Sequence, residues 1–139
     1  MFLLDTNVFF GLRKMSAGGA EQSVARWAAS MNPADLYLSV ITLQELELGV
    51  LRIERKDAVR GAALRVWLES QVLPTFAGRI MAVDAAIARR AAQLQVPDPR
   101  PVQDGLIAAT ALVHGMTLVT RNVADFAGMG VKLLNPWTV

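Results

Sequence analysis

The chain has 139 residues, 53% of them hydrophobic, which is enough for one folded domain spanning residues 1–139 and argues against disorder. With 14 Lys and Arg against 12 Asp and Glu, its net charge of +2 permits a polyanionic partner but does not identify one. The absence of cysteine excludes disulfides, thiolate zinc sites and cysteine nucleophiles, and no apolar run approaches the roughly 20 residues of a membrane span. We expect a cytoplasmic protein with neither a signal peptide nor a membrane partner.

The first predicted element is a short buried strand, Phe2–Leu4, which ends at Asp5. Three apolar residues followed by a carboxylate and by the small polar residues Thr6 and Asn7 are typical of a strand in a parallel sheet. Because α/β sheets bind ligands at the carboxyl ends of their strands, Asp5 is a candidate site residue.

Helices and strands alternate along the rest of the chain. Helical spacing of apolar residues predicts helices at 8–14, 21–31, 42–50, 57–72, 85–95 and 102–114. Runs of β-branched and other apolar residues predict further strands at 35–41, 79–83, 116–120 and 131–134. The loop Ser16 to Gly19 lacks the spacing of a phosphate-binding turn and is predicted to be a connector. This alternation predicts an α/β fold with a central, mostly parallel five-stranded sheet flanked by helices.

Two further acids, Glu45 and Asp104, lie near the starts of predicted helices. Each has an ordinary structural explanation, since Thr42 and Glu45 have capping-box spacing and Asp104 lies in a first turn, where the helix dipole favours an acid. Asp5 can cap the helix that follows it, and Asp84 fits an N-cap so well that we assign it no chemistry. For each acid alone, capping is at least as good an explanation as catalysis.

Taken together, the acids favour a metal site. Asp5 and Glu45 follow the first two strands, and Asp104 begins a helix that returns to the fourth strand, so right-handed crossovers bring them to one edge. Three carboxylates at one edge repel each other unless a cation neutralises them, and oxygen ligands suit Mg²⁺ or Mn²⁺. Zinc is disfavoured, because the single histidine, His114, is expected near a helix end as a surface or capping residue.

Four short motifs occur in an order that is typical of one protein family. They are Leu3 to Asn7, Ser39 to Gly49, Asp104 to Ala111 and Val119 to Asn122, followed by a closing Asn135-Pro136-Trp137. With these motifs the chain resembles a PIN-domain ribonuclease, in particular the VapC-type toxins of type II toxin–antitoxin systems, and the closing motif is similar to the FitB-like branch. The resemblance covers nearly the whole length and implies a PIN-like fold.

The resemblance also implies site residues and a reaction. Catalytic and metal-binding roles fall on Asp5, Glu45 and Asp104, which would hold Mg²⁺ or Mn²⁺ for the hydrolysis of RNA phosphodiester bonds. Supporting roles, through hydrogen bonds or water, fall on Thr6, Asn7, Thr120, Asn122 and Asp125. Many relatives have an acid where this chain has Asn122. Asp125 either replaces that charge through water or is only a loop residue. The sequence slightly favours the second interpretation, a loop residue.

The partners that the resemblance implies are an RNA, single-stranded or structured, and a VapB-type antitoxin. A homodimer is expected as well, and DNA would be contacted only through the antitoxin. An antitoxin tail or a second copy could bind an apolar surface that includes Trp27 and Trp67, unless both tryptophans lie in the core. A cluster of basic residues is equally consistent with a solvated helix face and with a nucleic-acid track. This cluster consists of Arg52, Arg55, Lys56, Arg60 and Arg65.

Two other functions are compatible with parts of the sequence. A phosphotransfer or phosphatase domain could use Asp5 and Thr120, but the chain has no second acid beside Asp5 and no lysine after the last strand. Asn7 also occupies the second position of the phosphatase Asp-x-Asp pattern. The other alternative is a non-catalytic interaction module whose acids only cap helices, and such a protein would gain no stability from Mg²⁺.

Overall fold

The computed structural model describes residues 1–13 and 20–139. Within these residues a five-stranded sheet has the strand order β3-β2-β1-β4-β5. The strands are β1 (Phe2–Leu4), β2 (Leu36–Ser39), β3 (Ile80–Met81), β4 (Thr117–Val119) and β5 (Leu133–Leu134). All neighbouring pairs are parallel, which confirms the α/β fold and the central five-stranded sheet predicted from the alternation of elements.

Helices cover both faces of the sheet. They are α1 (Thr6–Arg13), α2 (Ala20–Ser30), α3 (Val40–Lys56), α4 (Ala58–Trp67), α5 (Leu73–Thr75), α6 (Ala85–Gln93) and α7 (Val102–His114). A π-helical segment, Leu68–Val72, joins α4 to α5, and 3₁₀ turns at Pro33–Asp35 and Val123–Phe126 precede β2 and follow β4. The predicted connector Ser16 to Gly19 lies outside the described residues.

Strand β1 lies at the centre of the sheet, and its side chains alternate between the two faces. Leu4 packs with the helices from α1 to α4, whereas Leu3 packs with α7 and the segment around Phe126. Both leucines are almost fully buried. The amide of Asp5 donates to the carbonyl of Val119 at 2.9 Å, so the end of β1 is joined to the end of β4.

Helix α3 begins two residues earlier than predicted, which corrects the proposed capping box. Ser39, the last residue of β2, is its N-cap, and the Ser39 hydroxyl accepts from the Ile41 amide at 3.0 Å. Because this serine captures the first free amides, Thr42 lies inside the helix and is fully buried. Glu45 is therefore beyond the first turn and does not cap the helix.

Several local predictions are confirmed. Asp84 caps α6, accepting from the Ile87 amide at 2.9 Å. Helix α7 has the predicted bounds, with His114 in its last turn, and it ends at Gly115, whose φ of 66° is left-handed. No helix in the two described ranges is long and apolar enough to cross a bilayer.

Candidate active site

The Asp5 carboxylate is buried and receives three hydrogen bonds. The donors are the Thr6 amide at 2.8 Å, the Thr120 hydroxyl at 2.8 Å and the Asn7 side-chain amide at 3.3 Å. Burial is the largest influence and raises the pKa of Asp5, the three hydrogen bonds lower it in part, and the charge of Asp125 raises it further. Asp5 thus has a fixed orientation and an environment that disfavours its charge.

Asn7 and Thr120 tie the ends of β1 and β4 together around Asp5. The Asn7 side chain donates to the Thr120 hydroxyl at 3.4 Å and accepts from the Arg121 amide at 3.1 Å. The Thr120 hydroxyl also accepts from the Asn122 amide at 3.1 Å. Asn7 and Thr120 therefore orient Asp5 directly, while Asn122 contributes to this network through its backbone.

Glu45 and Asp104 reach the same region from two helices that contact each other, α3 and α7, and both are half-buried. Burial raises the pKa of Glu45, the Thr6 hydroxyl lowers it in part, and the charges of Asp5 and Asp104 raise it further. Burial also raises the pKa of Asp104, followed by the charges of Asp5 and Asp125. The structure thus brings the three predicted acids into one electrostatically coupled group.

Asp125 is the fourth acid of this group. It lies in the 3₁₀ turn after β4, is exposed, and its charge raises the pKa values of both Asp5 and Asp104. Its amide donates to the carbonyl of Asn122 at 3.1 Å, which folds the turn back toward the sheet edge. Asp125 is thus a turn residue, as the sequence slightly favoured, and it also brings a fourth negative charge to the site.

The acidic group fits a hard divalent cation in its chemistry, since all its donors are carboxylate oxygens. The Thr6 hydroxyl is buried beside Glu45 and forms no hydrogen bond of standard geometry. Among residues 1–13 and 20–139, however, no three His, Asp or Glu side chains are close enough together to hold a metal ion. The acids are coupled by charge in this arrangement, but they do not form a coordination shell.

The surface formed by α3 and α4 resolves part of the ambiguity in the basic cluster. Arg65 forms ion pairs with Glu47, Glu54 and Glu69 at 2.7, 3.0 and 3.6 Å. Arg65 therefore joins α3 to α4 and is not available to a nucleic acid. The other members of the cluster are exposed, namely Arg52, Arg55, Lys56 and Arg60.

The two tryptophans have different environments. Trp27 is 9% exposed and belongs to the core, so its predicted docking role is not supported. Trp67 is half-buried and lines a groove of about 340 Å³ between α1 and α4. The groove is lined by Leu12, Arg13, Ala63, Val66, Trp67 and Gln71.

The chain is similar to proteins of one family over most of its length. The PIN domain family model matches residues 2–130. Toxin FitB of Neisseria gonorrhoeae (strain ATCC 700825 / FA 1090) is 36% identical over 142 residues, covering 99% of each chain. VapC ribonuclease Y4jK of Sinorhizobium fredii (strain NBRC 101917 / NGR234) is 34% identical over 142 residues, covering 99% of this chain and 98% of the relative.

Solved structures share the fold over the whole chain. FitAcB from Neisseria gonorrhoeae superposes with a TM-score of 0.88 at 35% identity, covering 100% of both chains. A toxin–antitoxin complex from Klebsiella pneumoniae gives a TM-score of 0.68 at 26% identity, covering 98% of each chain. The predicted PIN-like fold is thereby confirmed.

Proposed function

This chain belongs to the PIN-domain family, in its VapC and FitB toxin branch, and from that premise we propose that it is a ribonuclease toxin that uses a divalent metal ion. The observation that carries the proposal is the electrostatic coupling of the carboxylates at the carboxyl edge of the sheet. There the charge of Asp5 raises the pKa values of Glu45 and Asp104, and the charge of Asp104 also raises that of Glu45. Such coupling is the electrostatic reason for a cation to bind there.

Asp5, Glu45 and Asp104 would hold Mg²⁺ or Mn²⁺, with Asp125 contributing charge at the exposed side. When bound, the ion would supply an acidified water and neutralise charge on the phosphoryl oxygens of the substrate. The fixed donors around Asp5 keep its carboxylate in one orientation, which reduces the reorganisation needed for binding. Glu45, half-buried and with a raised pKa, is the acid best suited to accept a proton from the attacking water.

The RNA would approach along the exposed edge that includes Arg121. Its guanidinium lies 5.2 Å from the centre of the Trp137 ring, and its amide is bound to Asn7 beside Asp5. A cation held against an aromatic ring next to the acids is suited to a phosphate of the strand. The exposed arginines of α3 are further candidates for phosphate contacts. A single-stranded or looped RNA is the expected substrate, because unpaired segments expose the bases that proteins read.

The groove lined by Trp67 is the proposed docking site for an antitoxin of the VapB type. It combines apolar side chains of Leu12 and Val66 with the positive charge of Arg13, so an amphipathic segment with acidic residues would fit it. An antitoxin arginine that reached the acidic group would form strong charge-assisted bonds there. We propose that DNA is contacted only through this partner, and that the toxin forms a homodimer.

The two alternative functions are less well supported. The interaction-module hypothesis needs Glu45 as a capping residue, but Ser39 caps that helix. The phosphotransfer hypothesis needs a second acid beside Asp5 and a lysine after the last strand, and the sequence has neither. Both alternatives therefore fit the site less well than the nuclease.

The test is cleavage of total RNA by purified protein, with mapping of the cut ends. Glu45→Gln and Asp104→Asn should each abolish cleavage that depends on Mg²⁺, whereas Asp98→Asn, which removes an exposed acid of another loop, should not. Circular dichroism must show that the variants are folded. Cleavage that continues in excess EDTA would overturn the metal requirement, and no cleavage of any RNA with either metal would overturn the nuclease.

A further inference from the structure

The loop between α6 and α7 carries Arg100, which contacts the segment that follows β4. Its guanidinium Nη1 donates to the carbonyl of Ala127 at 2.7 Å and, at a longer 3.4 Å, to the carbonyl of Asp125. Both carbonyls belong to the turn that carries the fourth acid of the site. The Arg100 side chain, 25 residues away from Asp125 in sequence, thus forms hydrogen bonds with the backbone of this turn.

The other end of this connection is Gln95, beyond the last turn of α6. Its Oε1 accepts from the Arg100 amide at 2.7 Å. Its Nε2 lies 3.2 Å from the position that a Cβ atom on Gly105 would occupy, so Gln95 packs against the first turn of α7 beside Asp104. Gln95 and Arg100 therefore link the turn that bears Asp104 to the turn that bears Asp125.

Gly128 makes room for the guanidinium. Its φ is 82°, a left-handed backbone conformation that residues with a side chain rarely adopt. A Cβ there would lie 3.0 Å from Arg100 Nη2. The neighbouring Phe126 is 1% exposed and anchors the same turn in the core. Core packing thus fixes one side of the turn, and Arg100 holds the exposed side on which Asp125 lies.

We propose that Arg100 is a positioning residue for the ribonuclease site, an inference that rests on the function proposed above. By holding the carbonyls of Asp125 and Ala127, it keeps the Asp125 carboxylate beside Asp5 and Asp104. An arginine suits this role because its planar group offers several donors in a fixed fork, whereas lysine offers one compact ammonium.

The test compares wild type with Arg100→Ala, Arg100→Lys, Asp125→Asn and the double variant that combines Arg100→Ala with Asp125→Asn. Arg89→Ala is the control, because it removes an exposed arginine from α6. The readout is the Mn²⁺ or Mg²⁺ concentration that gives half-maximal RNA cleavage, together with direct Mn²⁺ binding. Arg100→Ala should raise that concentration roughly 10-fold or more, with cleavage recovered at high metal, and Arg100→Lys should have a smaller effect. Arg89→Ala should behave as wild type.

If Arg100 acts through Asp125, the double variant should be no worse than Asp125→Asn alone. The positioning role would be overturned if the increases in metal concentration caused by Arg100→Ala and Asp125→Asn multiplied in the double variant. It would also be overturned if Arg100→Ala matched wild type while Asp104→Asn was inactive. Neither result would contradict the nuclease function. Asp104→Asn with wild-type metal binding and cleavage would overturn the function itself. Should Arg100→Ala fail to fold, Arg100→Lys decides, because unchanged metal dependence in that folded variant contradicts the role.

Discussion

The Thr120 hydroxyl donates a hydrogen bond of 2.8 Å to Asp5 Oδ2 across 115 residues of chain. The two residues follow the central strand β1 and its neighbour β4, and both side chains are buried. A buried carboxylate is tolerated only when donors replace its lost water, and Thr120 is the donor with the largest influence on the pKa of Asp5. This pair therefore fixes the central acid of the site to the sheet.

Thr120→Val should reduce both stability and activity. The substitution keeps the shape but removes the donor to Asp5 and the acceptor for Asn7 and Asn122, so a loss of about 1–3 kcal/mol in unfolding free energy is expected. The pKa of Asp5 should rise further, which moves the acid limb of the activity profile to higher pH. Thr120→Ser, which keeps the hydroxyl, is the control, and a Val variant with a wild-type pH profile would contradict the role of this bond.

Stability should depend on pH in a direction set by the raised pKa values. Asp5, Glu45 and Asp104 hold protons more tightly in the folded state than in the unfolded state. The free energy of unfolding should therefore fall as the pH rises above the ordinary pKa values, 3.8 for Asp and 4.5 for Glu, and through the raised pKa values of the folded state. Thermal unfolding in EDTA measures this fall, which Glu45→Gln should make shallower. Added Mg²⁺ should stabilise wild type more at neutral than at acidic pH, and equal stabilisation at both would contradict binding to ionised acids.

Gly61→Ala should destabilise the protein, although alanine normally favours a helix by about 1 kcal/mol. A Cβ on Gly61 would lie 2.4 Å from the Cα of Glu54, where α3 and α4 pack backbone to backbone. Relieving this overlap requires the helices to separate, and a loss of about 1–3 kcal/mol is expected. Urea unfolding measures it. Ala62→Gly, at an exposed neighbouring position, should show only the small propensity effect, and a stabilised Gly61→Ala would refute the close packing.

The exposed arginines of α3 should contribute to RNA binding, whereas Arg65 should not. Arg52→Gln with Arg55→Gln should weaken RNA affinity and reduce its dependence on salt, because fewer phosphates are neutralised. Arg65→Gln should leave affinity unchanged, since its guanidinium is paired with Glu47 and Glu54. Filter binding at several salt concentrations, with an inactive Asp104→Asn background, distinguishes the two. Equal losses in both variants would contradict this division of the basic cluster.

Val66→Glu should weaken antitoxin binding without affecting cleavage. Val66 lines the groove beside Trp67 and is 60% exposed, so a charge there enters the proposed docking site without disturbing the core. Val59→Glu, at an 82% exposed position of the same helix that does not line the groove, is the matched control. Calorimetric titration with the antitoxin measures the effect. Equal affinities of the two variants would place the docking site elsewhere.

Much of the fold and the three acids were predictable from the sequence, because burial periodicity and strand ends are local properties. Helix α7 has the predicted bounds, and the short apolar run before Asp5 predicted the buried strand β1. The alternation of elements then dictates which strand ends share an edge. The metal, the RNA and the homodimer remain predictions.

The tertiary structure decided two features that the sequence left open or predicted wrongly. They are the residue that caps α3 and the surroundings of Asp125. The sequence predicted Thr42 as the cap of α3, but β2 ends at Ser39, whose hydroxyl accepts from the Ile41 amide and caps the helix instead. The charge of Asp125 acts on Asp5 and Asp104 because the turn after β4 carries it there, and Arg100, which no sequence motif singles out, contacts the backbone of that turn. The sequence by itself thus determined which side chains stand at strand ends, since backbone pattern sets this. Their mutual charge, burial and hydrogen bonding arose only from packing, because these interactions depend on distances in space and not on separation along the chain.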